Sequence, residues 1–170
     1  MTCVTSPVSR PRIGILLTSQ CFVAPFSSVV VPVDGQVYAE HGLPWALGIA
    51  TRLGVPLRLV HIGSEGAPSD TGDVYLGDLV ARLSRVSSIP LATYSVQAPT
   101  IVDALRTVVT GDELIVTALP WRRRLELIWR RQKLNDFVQR LPAPSLLVRG
   151  SRKNVELTAA KRITHMLLPL

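Results

Sequence analysis

Five short apolar runs, four of them followed by apolar residues at helical spacing, constrain this chain more than any other feature. Residues 28–33 are almost continuously β-branched and end in Asp34-Gly35, the pattern of a strand covered on both faces. Ala39, Leu43, Ala46, Leu47, Ala50 and Leu53 then repeat with a helical period, and Gly54 supplies the stop. A second buried strand is expected at 57–62, followed by a Gly/Ser/Asp/Pro-rich loop at 63–72. Asp70 or Thr71 is expected to cap the next helix, which carries Leu76, Leu79, Val80 and Leu83 on one side. After a third strand at 91–96, Thr100 and Asp103 form a capping box with Asp in place of Glu. Ile101, Ala104, Leu105 and Val108 are that helix's stripe, ended by Gly111. Strands at 114–117 and 145–148 flank a fourth helix marked by Leu134, Phe137, Val138 and Leu141.

Such alternation predicts an α/β fold: a doubly wound, mainly parallel five-stranded sheet with helices on both faces. With 170 residues, 47% of them hydrophobic and 18% charged, the chain has ample material for one core and is not disordered as a whole. The chain is expected to comprise a loose or strand-like extension at 1–26, a domain at 27–150 and a tail at 151–170.

Charge is unevenly distributed. Residues 1–120 carry seven Lys/Arg against nine Asp/Glu, whereas 121–149 carry eight against two. A nearly neutral body therefore bears one basic segment, which suits a local anion-attracting patch better than a surface coated by nucleic acid. Cys3 and Cys21 form no disulfide framework and no metal-ligand spacing, so a reducing cytoplasm is the expected compartment. The uncharged stretch between Arg12 and Asp34 is long enough for a membrane span. Its prolines, polar pairs and the run Val29-Val30-Val31-Pro32-Val33 favour a leader that ends in a buried strand.

The ordered set Val30-Val31-Pro32-Val33-Asp34-Gly35, Ala46-Leu47-Gly48-Ile49-Ala50, Leu57-Arg58-Leu59-Val60-His61, Asp112-Glu113-Leu114-Ile115-Val116 and Pro142-Ala143-Pro144-Ser145-Leu146-Leu147-Val148-Arg149 resembles the universal stress protein family over residues 27–149. The resemblance implies a Rossmann-like α/β domain of the adenine nucleotide alpha hydrolase-like kind, and a stress-response binding module in place of an enzyme. It also implies a dimer or tandem pair. In ATP-binding members an Asp after strand 1 and a Val of strand 2 hold adenosine, which maps onto Asp34 and Val60, with Pro32 beside them. Phosphates are held by G-x-x-G-x9-G-[ST] after strand 4, where glycines let the backbone approach and helix-start N–H groups meet the anion. The matching positions here are Ala118, Trp121, Arg131 and Gln132. An indole in place of a glycine fills phosphate space, so ATP or AMP is a possible ligand only by other means. Asp34-Gly35 also has a plain reading as a turn, and His61 reads as structural.

The segment 121–133 (Trp-Arg-Arg-Arg-Leu-Glu-Leu-Ile-Trp-Arg-Arg-Gln-Lys) admits three uses. Its apolar stripe can pack on the domain or a partner while the arginines are solvated. Its arginines can clamp phosphate or another polyanion in place of amides. It can also form a basic amphipathic surface for membrane lipid or nucleic acid, the least favoured of the three. No nucleophile elbow, Walker loop or carboxylate pair supports catalysis. A homodimer through the strand-5 edge is expected. Residues 163–170 match 26–33 position by position, which points to a linker plus the first strand of a truncated second unit.

Overall fold

A computed structural model describes residues 24–63, 69–120, 131–150, 155 and 157, with backbone alone at 69–71, 120 and 131–135. Five parallel strands, β1 (Val29–Val33), β2 (Leu57–Gly63), β3 (Leu91–Gln97), β4 (Leu114–Pro120) and β5 (Ser145–Gly150), lie in the order β3-β2-β1-β4-β5. Between them run α1 (Leu43–Leu53), α2 (Ser69–Ser84), α3 (Ile101–Val108) and α4 (Arg131–Arg140), and a 3-10 turn at Ala39–Gly42 precedes α1. This is the doubly wound α/β sheet expected from the alternation. Val29–Val33, part of the uncharged stretch that was long enough for a membrane span, is the central strand. Among the described residues no helix is long and apolar enough to cross a membrane.

Each face of the sheet has its own core. Val29, Val31, Leu57 and Leu59 meet Leu43, Leu47 and Ala50 of α1 and Leu76, Leu79 and Leu83 of α2. Val30, Val60 and Ile115 meet Val102 and Leu105 of α3 and Leu141 after α4 on the other side. Burying each large aliphatic side chain contributes about 1.5–3 kcal/mol relative to exposure. Because both faces are covered, β1 is buried at every position. Val155 and Leu157 also pack into the first core, so residues beyond 150 contribute to it.

Local signals account for the helix ends. Gly54 closes α1 at φ 67°, and the Thr100 hydroxyl accepts the Asp103 N–H at 3.2 Å. The shorter Asp103 carboxylate meets the Thr100 hydroxyl at 2.6 Å, where a capping-box Glu would reach the backbone. The largest departures from the expected boundaries are at α1, α2 and β4. Pro44 sits in the first turn of α1, and the residues before it tighten into the 3-10 turn, so the stripe from Ala39 is not one helix. Asp70 and Thr71 lie inside the first turn of α2, which begins at Ser69, and do not precede it. β4 continues past Thr117 to Pro120.

Pro32 shapes the centre of the sheet. Val29 donates to Pro56 O, so odd-numbered residues of β1 face β2 and even-numbered ones face β4. Pro32 thus turns its nitrogen toward β4 with no proton to give. Register between β1 and β4 is held only at Val29↔Leu114 and Val30↔Ile115, whereas β1 and β2 stay paired to Val33↔His61. The missing N–H lies where β1 and β4 part, at the topological switch point of the sheet, the usual ligand crevice of such folds.

Candidate functional site

The chain's own β1–α1 connection lies over that crevice. Gly42 of the 3-10 turn stands against the Val116 carbonyl, where a Cβ would approach to 3.3 Å. At the end of β5, a Cβ on Gly150 would come within 2.7 Å of the Tyr38 carbonyl and 3.1 Å of the Leu119 carbonyl. Glycine at both places is what lets the connection pack down onto β4 and β5.

Asp34 is exposed directly after β1, and both of its carboxylate oxygens already accept hydrogen bonds within its own loop. The Gln36 N–H donates to Oδ1 at 3.0 Å and the Tyr38 hydroxyl to Oδ2 at 2.5 Å. Gly35 takes φ 77°, the left-handed conformation that this Asx turn requires. The plain turn reading of Asp34-Gly35 therefore has a full structural basis.

The other sequence-derived positions are spread along the strands. Pro32 and Val60 are neighbours in register. Val60 is completely buried in the second core, and β2 runs on through His61 and Ile62 to Gly63, so the Val60 side chain does not reach the rim. Ala118 is buried inside β4, opposite Val148 of β5. Arg131 and Gln132 form the start of α4. Trp121 falls outside the described residues, as do the rest of 121–130 and the matched segment 163–170.

Beside the Asp34 turn lies a network that the sequence analysis missed. The Tyr75 hydroxyl of α2 donates to Glu40 Oε1 at 3.2 Å, and Arg82 pairs with Glu40 Oε2 at 3.0 Å. The Tyr75 ring leans on His61 at 5.8 Å between centroids. His61 is pressed against Gly72 of α2, where a Cβ would sit 2.5 Å from Nδ1, and Nδ1 has no hydrogen-bond partner among the described residues. Signals for the network existed in the sequence: Tyr75, Asp78 and Arg82 fall on neighbouring turns of one helix, but nothing local pointed to Glu40.

Burial, then the charge and hydrogen bond of Glu40 and the charge of Asp34, push the Tyr75 phenol well above its ordinary value, against a smaller opposing effect of Arg82. An unfolded tyrosine ionises near pH 10, at about 10, while the folded one retains its proton. The stabilisation is fully present below that pH and is lost as pH rises above it. The urea midpoint is expected to fall from pH 9 to 11, and Tyr75→Phe to flatten that fall. Absorbance at 295 nm should show a tyrosine that stays protonated beyond the ordinary range, and Tyr75→Phe should remove that late step.

A second concavity of about 470 Å³ lies between α3 and α4. Arg106 and Arg140 are matched there by Asp103 and Asp136, so it lacks the excess positive charge that an anion site needs.

No family model matches the chain, and no curated protein matches it. Solved structures do. A universal stress protein UspA from Lactobacillus plantarum superposes with a TM-score of 0.55 at 18% identity, covering 75% of this chain and 100% of that one. A universal stress protein crystallised in complex with cAMP gives 0.56 at 18% identity over the same shares. A universal stress protein family member from Burkholderia pseudomallei gives 0.53 at 19%, covering 75% of this chain and 99% of that one. The chain has the universal stress protein fold.

Proposed function

We propose that this chain is a universal stress protein-like regulatory and binding module, not an enzyme, and that it does not hold ATP through a glycine-rich phosphate loop. The observation that carries this reading is the state of Ala118. Its position in the glycine pattern is buried within β4, paired with β5, and followed two residues later by Pro120, which has no N–H to offer. The engagement of both Asp34 oxygens within their own loop supports it further, as does tryptophan at position 121. In this reading the module works in the cytoplasm through protein contacts.

Thermal unfolding with and without millimolar ATP tests it. The melting temperature is expected to stay unchanged. A ligand at 100 times its Kd adds about 2.7 kcal/mol, or roughly 5–10 °C for a domain of this size, and a rise of that order rejects the reading. The arginine clamp would then be favoured, since α4 opens at Arg131. Arg131→Ala should in that event remove most of the rise, and Asp34→Ala should weaken selectivity for adenosine.

A further inference from the structure

The edge of the sheet opposite β5 is β3. Among the described residues nothing pairs with the outer side of β3. Leu57 donates to Pro90 O and Ala98 donates to Gly63 O. In a parallel ladder this directs the N–H and C=O of Ala92, Tyr94 and Val96 toward β2, and those of Leu91, Thr93 and Ser95 outward. Folded proteins usually guard such an edge with charge, proline or a bulge. β3 has none of these: Leu-Ala-Thr-Tyr-Ser-Val-Gln is uncharged and stays in unbroken register with β2 along its whole length.

We propose that β3 is a self-pairing edge that joins a second copy of this chain antiparallel to the first, with the two-fold axis at Tyr94. Tyr94 is the middle residue of the strand. About that axis, Thr93 of one copy stands opposite Ser95 of the other, and the outward N–H and C=O groups of each pair satisfy one another. An uncharged strand brings no like charges face to face when it meets itself. Tyr94 faces Tyr94 at the non-hydrogen-bonded position, where side chains come closest. It is 40% exposed in the single chain, yet its ring is held by the Arg58 guanidinium at 4.5 Å. Arg58 is in turn fixed by Glu113 and by the Val108 carbonyl at 2.9 Å. An aromatic group already ordered loses little freedom on docking and is a favoured interface anchor. The pairing is independent of the nucleotide question.

Disulfide trapping distinguishes the two edges. In a Cys3→Ser/Cys21→Ser background, Tyr94→Cys places the two thiols at a site whose Cα separation of about 4.5 Å permits a disulfide. Mild oxidation should convert most of this protein to a covalent dimer, with Leu147→Cys on β5 as the comparison. Light scattering should report twice 18.6 kDa for the unmodified chain. Thr93→Pro removes one outward N–H and should halve that mass. If it fails to fold, Tyr94→Lys sets two charges against each other and should do the same. A monomeric mass, or trapping by Leu147→Cys alone, overturns the β3 proposal. Trapping by Tyr94→Cys with an unchanged ATP response leaves the functional reading intact.

Discussion

Glu113→Ala is expected to lower the unfolding free energy by about 3–5 kcal/mol, as loss of one partner from a buried ion pair does. Glu113 is 2% exposed at the amino end of β4. One carboxylate oxygen takes the Arg58 guanidinium and the Ser28 hydroxyl, the latter at 2.7 Å, and the other takes the Thr110 N–H at 3.0 Å. One side chain therefore ties the starts of β1, β2 and β4 to the turn after α3. Its removal leaves a guanidinium with 15% side-chain exposure without its ion-pair partner, and Arg58 Nε already lacks a hydrogen-bond partner among the described residues. Glu113→Gln should cost less, since an amide oxygen can still accept from Ser28. Arg58→Met with Glu113→Leu should recover much of the loss by replacing both charges with apolar volume. Urea denaturation measures all three. A Glu113→Ala loss below about 1 kcal/mol would place the pair in the class of solvated surface bridges.

Gly150→Ala should cost about 1–3 kcal/mol, the range for overpacking. The added methyl meets two backbone carbonyls, those of Tyr38 and Leu119, so no flexible side chain can give way. The easier displacement is that of the β1–α1 connection, which carries the Asp34 turn. Faster amide hydrogen exchange at Gln36 and Tyr38 should accompany the loss of stability. Unchanged stability and exchange would mean that the connection does not rest on the end of β5.

The fold was legible because burial on both faces leaves a strong mark. A run such as Val29–Val33 has few other uses in an α/β domain, and α1, α2 and α3 each carried a stripe wide enough to assign. Ends were harder to read. Ala39 follows the helical period, but the chain tightens there to approach Val116. Leu119-Pro120 looks like loop by composition and is strand by its pairing with Arg149 and Gly150. Least legible were the polar networks. Arg58 inside an apolar strand signalled a need for a counter-charge, but its partner lies 55 residues away, and Ser28 lies 85 from the same carboxylate. For the candidate site, the sequence indicated Asp34 after the first strand and, through the family resemblance, non-glycine residues at Ala118, Trp121 and Arg131. It gave no sign that Tyr38 would take up an oxygen of Asp34, since that depends on how the connection folds back.

Amide resonances followed during an ATP titration decide whether the end of β4 receives a triphosphate. Those of Asp34, Gln36, Tyr38, Ala118 and Leu119 are expected to keep their positions at every concentration, because the end of β4 is held in strand pairing and the Asp34 carboxylate is held by its own turn. Saturable shifts converging on Asp34 together with Ala118 and Leu119 would contradict that expectation, and would mean that triphosphate is received there after all.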